Sequence, residues 1–429
     1  MEGISLIAPT KPISTLRGLK KIDFLNICEE PFWNTATTQE IRMHKIHAYP
    51  AKFPSLIAKK AFEYAEAKRL TLKTVADIFC GCGTVAVEAK RKGLNFWGCD
   101  INPVAVLISE VKSYPYSANT VKSKSEIIVK AFKAGSIESE YNTTNKRIQY
   151  WFIEDQYNDL TKLKAAILAN TEADEYRKLF ICVFSSILKG TSKWLTKSIK
   201  PQVDPEKKPQ NAIELFKKQI DFVIKSIEEA DYYNDARITI EHNDILQVTR
   251  TNYADMIVTS PPYVTSYEYA DLHQLSALWL GYAEDYTELR VNSIGSSYGA
   301  GTENMPDDLT PTAKKIVGYF KWNKVQTRSI ARYYSNMQKF SDKAFEILKN
   351  RGLVVFVIGD TEIGGHHIEN AKCLSECMIN SGFGIKEIHK RSLQNKLLPS
   401  HRDASGRFSS DTSHRSIYSQ EYIIIGRKA

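Results

Sequence analysis

The sequence lacks any apolar run long enough to cross a membrane, and its cysteines are few. No uninterrupted apolar stretch in the 429 residues reaches about 18 residues, and the first 21 residues lack the apolar core of a secretion signal. Seven cysteines, an odd number, argue against a disulfide framework and for a reducing compartment. We therefore expect a cytoplasmic protein that does not contact a membrane.

Metal-ligand spacing is also missing. Cys80 and Cys82 form one close pair and Cys373 and Cys377 another, but neither pair comes with a second closely spaced Cys or His pair. Structural zinc sites need four such ligands. We expect no metal.

A third absence concerns phosphate binding. A glycine turn, Gly81-Cys82-Gly83, follows an apolar strand, but no third glycine completes the pyrophosphate-binding pattern and Glu88 lies in the next helix. This combination argues against a nicotinamide coenzyme. It favours a nucleoside that lacks phosphate and carries a positive charge, for which Asp77 supplies a carboxylate.

The composition is that of a soluble globular protein, with 43% hydrophobic and 25% charged residues. The 58 Lys and Arg against 49 Asp and Glu give a net charge of +9, which suits a polyanionic partner without requiring one. The length predicts two or three structural units.

Strands alternate with helices over most of the chain. Val75–Cys80, the glycine turn, a helix at Thr84–Arg91 and a strand at Phe96–Asp100 form the first half of a doubly wound sheet, and Asp100 can accept hydrogen bonds from ribose hydroxyls. Helical spacing dominates residues 110–235, which predicts a helical insertion. The remaining predicted strands cover 236–240, 255–260, 352–359, 385–389 and 422–425, the last two as an antiparallel pair at the sheet edge.

The most informative stretch is Asp255–Tyr263, an apolar strand that ends in Ser-Pro-Pro-Tyr. The prolines force an extended turn at the strand end. The Ser260 hydroxyl and the Pro261 carbonyl can then accept two N–H bonds from a planar amine, while the Tyr263 ring stacks on the attached heterocycle. By itself the stretch is more typical of a buried strand followed by a Pro-Pro turn, and only the other motifs of the chain favour the amine-binding interpretation.

Basic residues occur in three segments that could contact a polyanion. The insertion contains lysines interleaved with hydroxyls and Trp194, residues 292–330 form a basic loop and helix start, and residues 391–420 form a polar extension. The alternative for each is a solvated face. The predicted nucleic-acid contacts are Lys189, Lys193, Lys197, Lys200, Arg402 and Arg407.

Three motifs occur in this order in the chain: Asp77-x-Phe79-x-Gly81-x-Gly83-Thr84, Asp100-Ile-Asn-Pro103 and Thr259-Ser-Pro-Pro-Tyr263. Together they resemble the motifs of the S-adenosylmethionine-dependent DNA amino-methyltransferases, specifically the cytosine-N4 enzymes that carry Ser-Pro-Pro-Tyr. His47-x-Tyr-Pro-x-Lys-Phe-Pro54 is similar to the segment that flanks the cofactor in that group. The resemblance covers residues 43–110 and 236–360.

The resemblance implies a Rossmann-like class I α/β fold, with a mostly parallel seven-stranded sheet, an antiparallel edge strand and a helical insertion. It divides the chain into an arm (1–42), a cofactor half (43–110), an insertion that is a candidate target-recognition region (111–235) and a catalytic half (236–429) with the extension at 391–420. The extension is a competing candidate for target recognition.

By the same resemblance, S-adenosylmethionine is the cofactor and a flipped base in DNA is the substrate. The catalytic residues implied are Ser260, Pro261, Pro262 and Tyr263, and the cofactor residues are Tyr49, Phe53, Asp77, Phe79, Gly81, Gly83, Thr84, Asp100, Asn102 and Asp244. Tyr49 and Phe53 could equally be core, and Asp244 could merely cap a turn.

The reaction implied is methyl transfer to the N4 amine of cytosine within a restriction–modification or other modification system, where a companion restriction endonuclease would be a partner. Because Ser also occurs outside the cytosine enzymes, adenine N6 in DNA and an amine of an RNA base remain the alternatives.

Overall fold

The computed structural model describes residues 12–34, 39–50, 52–135, 139–232, 235–264, 269–291, 293–296, 306–392, 401–402, 408–409, 415–416 and 420–429. Seven strands form the main sheet: β1 (Thr74–Asp77), β2 (Asn95–Asp100), β3 (Ile238–His242), β4 (Ala254–Thr259), β5 (Leu348–Ile358), β6 (Phe383–Ser392) and β7 (Gln420–Lys428). Short strands at Thr361–Ile363 and His366–Ile368 form a hairpin, and those at His401–Arg402, Phe408–Ser409 and Arg415–Ser416 form a small separate sheet.

The α-helices in the described residues are α1 (Leu16–Leu19), α2 (Ser55–Ala67), α3 (Thr84–Arg91), α4 (Pro103–Ser113), α5 (Ala118–Ala134), α6 (Lys146–Trp151), α7 (Glu154–Ala169), α8 (Glu175–Thr191), α9 (Ala212–Ala230), α10 (Tyr269–Leu272), α11 (Gln274–Leu280), α12 (Pro311–Gly318), α13 (Lys324–Ile347) and α14 (Asn370–Asn380). Short 3-10 segments lie at Phe24–Asn26, Pro31–Trp33, Arg42–Lys45, Tyr141–Thr143, Ile245–Gln247 and Tyr286–Arg290.

The strand order is β3-β2-β1-β4-β5-β7-β6. Every neighbouring pair is parallel except those of β7, which runs antiparallel to both β5 and β6. This arrangement confirms the predicted Rossmann-like class I fold. The antiparallel strand lies one place in from the edge, because β7 inserts between β5 and β6, so β6 is the edge strand.

The central strands β1, β4 and β5 are buried on both faces, which is why they read as continuous apolar runs. The edge strands β3 and β6 are only partly buried. In β5, Val354 and Phe356 face the helices α12, α13 and α14, whereas Val355 and Val357 face α2 and α3. This alternation follows from the two-residue period of a strand.

The insertion is helical, as predicted, and has its own apolar core. Helices α5 to α9 all lie between β2 and β3 in the chain, and they pack with α4 and α11 around Trp151, Phe180 and Trp279. Because α11 follows β4, this core joins the insertion to the segment after Ser-Pro-Pro-Tyr. Within the part of the chain that the structure describes, no helix has the length and apolarity to cross a bilayer.

Candidate functional site

The two motifs on which the site depends lie at the same edge of the sheet. Strand β1 pairs in parallel with β4 on one side, with Val75 opposite Met256, and with β2 on the other. The segments that follow these three strands therefore emerge side by side at their carboxyl ends. The Thr259 hydroxyl at the end of β4 donates a 2.6 Å hydrogen bond to Oδ1 of Asp77 at the end of β1, so the two strand ends are in direct contact.

The glycine turn is closely packed and shaped by two left-handed residues. Gly81 has φ 47° and Gly83 has φ 75°, conformations that side chains disfavour. A Cβ on Gly83 would lie 2.3 Å from the Ser109 Oγ of α4, and one on Gly81 would lie 3.5 Å from the Tyr49 hydroxyl. The turn therefore leaves room for backbone only, and Tyr49 covers it.

Two carboxylates flank this turn: Asp77, which is buried, and Asp100, which is partly buried. Asp77 accepts hydrogen bonds from Thr259 Oγ1 and from the Phe79 N–H, and Asp100 accepts from the N–H groups of Gly81 (2.8 Å) and Asn102 (2.8 Å). Burial raises the pKa of Asp77 to about 7, against the lowering effect of its two hydrogen bonds, and burial also raises the pKa of Asp100.

Neither carboxylate forms an ion pair with a Lys, Arg or His among the residues that the structure describes. Two acidic groups without an ion-pair partner, one buried and one partly buried, are stabilised by a ligand that brings positive charge or hydroxyl donors. S-adenosylmethionine carries a sulfonium, an ammonium and ribose hydroxyls. The acceptor oxygens at these strand ends thus fit the cofactor that the sequence motifs imply.

Some of the other predicted cofactor residues lie beside the glycine turn, and others pack in the apolar core. Tyr49 lies against the ring of buried His273, with centroids 4.8 Å apart, and Thr84, which is buried, begins α3. Phe53 packs against the core on the α2 and α3 face. The prediction left two roles for Asp244, and its Oδ1 caps the following turn by accepting from the Leu246 N–H at 3.0 Å.

Two further cofactor candidates support the turn from neighbouring positions. Phe79 packs edge-to-face against Phe340 of α13, with centroids 5.2 Å apart. Asn102 caps α4, because its side-chain oxygen accepts from the Val104 N–H. Both side chains thus fix the backbone that follows a strand end.

The Ser-Pro-Pro-Tyr segment directly follows β4. Pro261 is buried, Ser260, Pro262 and Tyr263 are partly exposed, and the Ser260 hydroxyl has no hydrogen-bond partner within the described ranges. The hydroxyl of buried Tyr333, on α13, donates to the Pro262 carbonyl at 3.0 Å. The segment is therefore anchored at its second proline while the serine hydroxyl can still accept.

Tyr263 is held by a polar network that sequence reasoning did not identify. Its hydroxyl donates to Oε1 of Glu421 at 2.8 Å, and Nε of Arg391 donates to Oε2 of the same carboxylate at 3.0 Å. The Arg391 side chain is only 1% exposed, which makes this a buried ion pair between β6 and β7. No signal in the sequence links positions so far apart.

The predicted nucleic-acid residues of the insertion differ in their surroundings. The Lys189 ammonium donates to the Ser198 carbonyl at 2.8 Å, and that of Lys193 lies 5.9 Å from the centre of the Tyr150 ring. Lys197 and Lys200 are exposed. The first two lysines thus have partners within the chain. The side chain of Arg402, and Arg407 as a whole, lie outside the described residues.

Nothing in the described part of the chain resembles a metal centre: it contains no group of three or more His, Cys, Asp or Glu side chains arranged to hold an ion. Cys80, Cys82, Cys373 and Cys377 are buried free thiols.

Comparison with family models and with known sequences finds DNA methyltransferases. The family model described as DNA methylase, of the N6/N4 methyltransferase type, matches residues 20–111. The Type II methyltransferase M.MvaI of Kocuria varians is 25% identical over 405 residues, which cover 86% of this chain and 87% of that protein. The Type II methyltransferase M.MjaII of Methanocaldococcus jannaschii is 34% identical over 84 residues, 19% of this chain and 14% of that protein.

Among solved structures, an S-adenosylmethionine-dependent methyltransferase from Methanosarcina mazei aligns with a TM-score of 0.29 and 9% identity, over 89% of this chain and 98% of that one. The fold is assigned here from the strand order rather than from this neighbour. The family model and the Kocuria relative support a DNA methyltransferase of the N4/N6 family.

Proposed function

We propose that this chain is an N4/N6-family DNA methyltransferase that acts on the exocyclic N4 amine of cytosine. The observation that carries the proposal is the contact between the ends of β1 and β4, the 2.6 Å hydrogen bond from Thr259 to Asp77. It brings the Ser-Pro-Pro-Tyr segment beside the glycine turn and its two carboxylates.

Asp77, Asp100 and the backbone of the glycine turn would hold the cofactor. When bound there, S-adenosylmethionine supplies a methyl group activated by its attachment to a sulfonium. The Asp77 carboxylate offers a negative charge to the cationic part of the ligand, and Asp100 offers acceptor oxygens to hydroxyls. Tyr49, which lies over Gly81, would shield the ligand from water.

The chain's own contribution to the chemistry lies in Ser260 and Pro261. The exocyclic amine of cytosine is a weak nucleophile because its lone pair is delocalised into the ring. If the Ser260 hydroxyl and the Pro261 carbonyl accept hydrogen bonds from its two N–H groups, the nitrogen is drawn toward tetrahedral geometry and its lone pair is directed at the reacting carbon. The methylated nitrogen then carries a positive charge and is acidic enough to lose one proton to water. Orientation and charge placement then provide most of the acceleration.

Tyr263 would provide the surface on which the target base stacks after it leaves the duplex. The Tyr263 hydroxyl is fixed by Glu421, and Glu421 in turn by Arg391. Because the ring is held at its far end, its face is presented in one orientation, which limits the entropy lost when the base binds.

Cytosine is preferred to adenine because Ser, the first residue of the tetrapeptide, is typical of cytosine-N4 enzymes, whereas Asp is typical of most adenine-N6 enzymes. That residues 111–235 recognise the target sequence stays a prediction. The existence of a companion restriction endonuclease also stays a prediction.

The identity of the base can be tested in a host that expresses the chain. Genomic DNA is digested to nucleosides for mass spectrometry and sequenced by a method that detects modified bases. We expect N4-methylcytosine in one sequence context, absent from a host that expresses the Ser260→Ala variant. N6-methyladenine would contradict the choice of base, and methylated RNA with unmodified DNA would contradict the choice of substrate.

A further inference from the structure

The turn between α12 and α13 exposes an aromatic ring among lysines. Trp322 is 75% exposed and Val325 is 55% exposed, whereas large apolar side chains are usually at least partly covered. Lys321 and Lys324 flank Trp322 and are also exposed. We call this set, together with exposed Lys314 of α12, the Trp322 surface.

The charge of this surface has one sign. Between Asp308 and Asp342 the chain contains seven Lys and Arg residues and no Asp or Glu. Of the lysines in the turn region, Lys315 is paired with Glu369, while Lys314, Lys321 and Lys324 form no ion pair with the residues that the structure describes.

Two independent contacts place the surface at the catalytic edge of the sheet. Helix α13 runs antiparallel to β5, and its Tyr333 bonds the Pro262 carbonyl. Trp322 lies two residues before α13 begins, and the part of α13 from Lys324 to Tyr333 is roughly 14 Å long. The Trp322 surface therefore lies beyond the end of α13 that is nearer to the Ser-Pro-Pro-Tyr segment.

The second contact comes from the hairpin that follows β5. Its His366 stacks on Tyr319 of the same turn, with centroids 4.5 Å apart and planes 8° apart. The hairpin begins just after Gly359, where a Cβ would lie 3.5 Å from the Tyr263 ring. The turn is therefore packed on an element that starts beside the catalytic tyrosine.

We propose that the Trp322 surface binds duplex DNA beside the flipped base, with Lys321 and Lys324 on phosphates and Trp322 against a deoxyribose of the same backbone. Charge complementarity selects this occupant: unpaired lysines attract phosphates, and the exposed indole between them offers a flat apolar face for a sugar. This inference rests on the proposed function. It assigns DNA contact to a surface other than Lys189 and Lys193, which have partners within the chain.

The charges are tested with the Lys321→Glu, Lys324→Glu double variant and a matched control, Lys73→Glu, Lys92→Glu. Lys73 is exposed just before β1 and Lys92 just before β2, at the opposite edge of the sheet. Lys92 pairs with Glu66 in an exposed ion pair, which contributes little to stability. Both double variants change the net charge equally.

Binding of a fluorescent duplex, generated from sheared host DNA, is measured by anisotropy over a range of salt concentrations. We expect the Lys321, Lys324 variant to lose about tenfold or more in affinity and the slope of log affinity against log salt to fall by about 2. The control should keep wild-type affinity to within about twofold. Equal effects of the two double variants would overturn the proposal.

The aromatic contact is tested with Trp322→Ala and Trp322→Phe. We expect about a tenfold loss of affinity for Ala and near wild-type affinity for Phe, because packing against a sugar needs the flat apolar face of a ring. Wild-type minus Trp322→Phe fluorescence isolates the Trp322 signal, and we expect DNA to protect it from acrylamide quenching. Wild-type affinity for the Ala variant, with no protection, would overturn the proposal.

These outcomes separate the surface from the proposed function. If the wild type methylates DNA and the variants bind DNA normally, the surface assignment fails and the function stands. If the variants instead change only the sedimentation behaviour of the protein, the surface joins copies of the chain and the proposal fails. A wild type that neither binds nor methylates DNA would overturn both.

Discussion

Replacing Asp77 by Asn separates the charge of this side chain from its hydrogen bonds. The amide oxygen of Asn can accept from the Thr259 hydroxyl and the Phe79 N–H as the carboxylate does, but it carries no charge. Burial raises the pKa of Asp77 to about 7 in the folded protein, whereas an Asp in the unfolded chain titrates near about 3.9. Ionisation therefore opposes folding in the absence of cofactor.

The sign of the effect follows from this difference. The folded protein binds a proton at Asp77 that the unfolded chain has released, so the stability contributed by the protonated form is lost as the pH rises from about 4 to about 7. About three pKa units correspond to about 4 kcal/mol. Relative to wild type, Asp77→Asn should be equally stable near pH 4 and more stable by up to this amount near pH 8.

Thermal unfolding of the cofactor-free proteins across this pH range measures the difference in stability. Binding of the cationic cofactor should also ionise Asp77 and release its proton. Calorimetric titration with S-adenosylmethionine in buffers of different ionisation enthalpy measures this proton release. We expect wild type to release more protons near pH 6, where Asp77 is mostly protonated without cofactor, than near pH 8, where it is mostly ionised. Asp77→Asn provides the baseline for protons from the cofactor itself.

Two results would refute the reasoning. One is a difference in unfolding temperature between wild type and Asp77→Asn that does not change with pH. The other is equal proton release by the two proteins near pH 6, because Asp77 would then be ionised before the cofactor arrives.

Three further substitutions test the site. Gly83→Ala should lower both the unfolding temperature and cofactor affinity, since its Cβ would lie 2.3 Å from a side-chain oxygen of α4 in a left-handed conformation; unchanged values in calorimetry would contradict the close packing of the turn. Glu421→Ala leaves the Tyr263 hydroxyl without its acceptor and should slow methyl transfer about 10- to 100-fold at unchanged cofactor affinity, measured by labelled methyl transfer and calorimetry. Ser260→Ala should reduce transfer far more than cofactor binding and Asp100→Ala the reverse; equal loss of both properties in both variants would count against these roles.

The sequence predicted those features of the site that depend only on residues adjacent in the chain. Where an apolar strand is followed by glycines or by two prolines, these residues themselves restrict the backbone conformation of the turn. The structure therefore has turns at Gly81, at Gly83 and after β4, as the motifs indicate. All seven strands were predicted in type. The central strands are buried on both faces and therefore have a strong apolar signal, whereas the edge strands β3 and β6 are only partly buried and have a weaker one. The register that brings Thr259 to Asp77, 182 positions away, needs the folded sheet.

Side-chain partners distant in sequence could not be predicted. Tyr263 and Glu421 are 158 positions apart, and neither has a local pattern that indicates the other. A run of lysines also does not show which ammonium groups bond to carbonyls of the same chain, as Lys189 does. For Asp244, both predicted roles use the same acceptor oxygens, and only the structure shows the bond to the following turn.

The measurement that tests the central claim most directly is transfer of isotope-labelled methyl from S-adenosylmethionine to DNA by the purified chain, followed by digestion to nucleosides and mass spectrometry. We predict label on the exocyclic nitrogen of deoxycytidine for wild type and little or none for Ser260→Ala. Label on a ring carbon, or the same yield from Ser260→Ala as from wild type, would contradict the claim that the turn after β4 presents an amine to the cofactor beside Asp77.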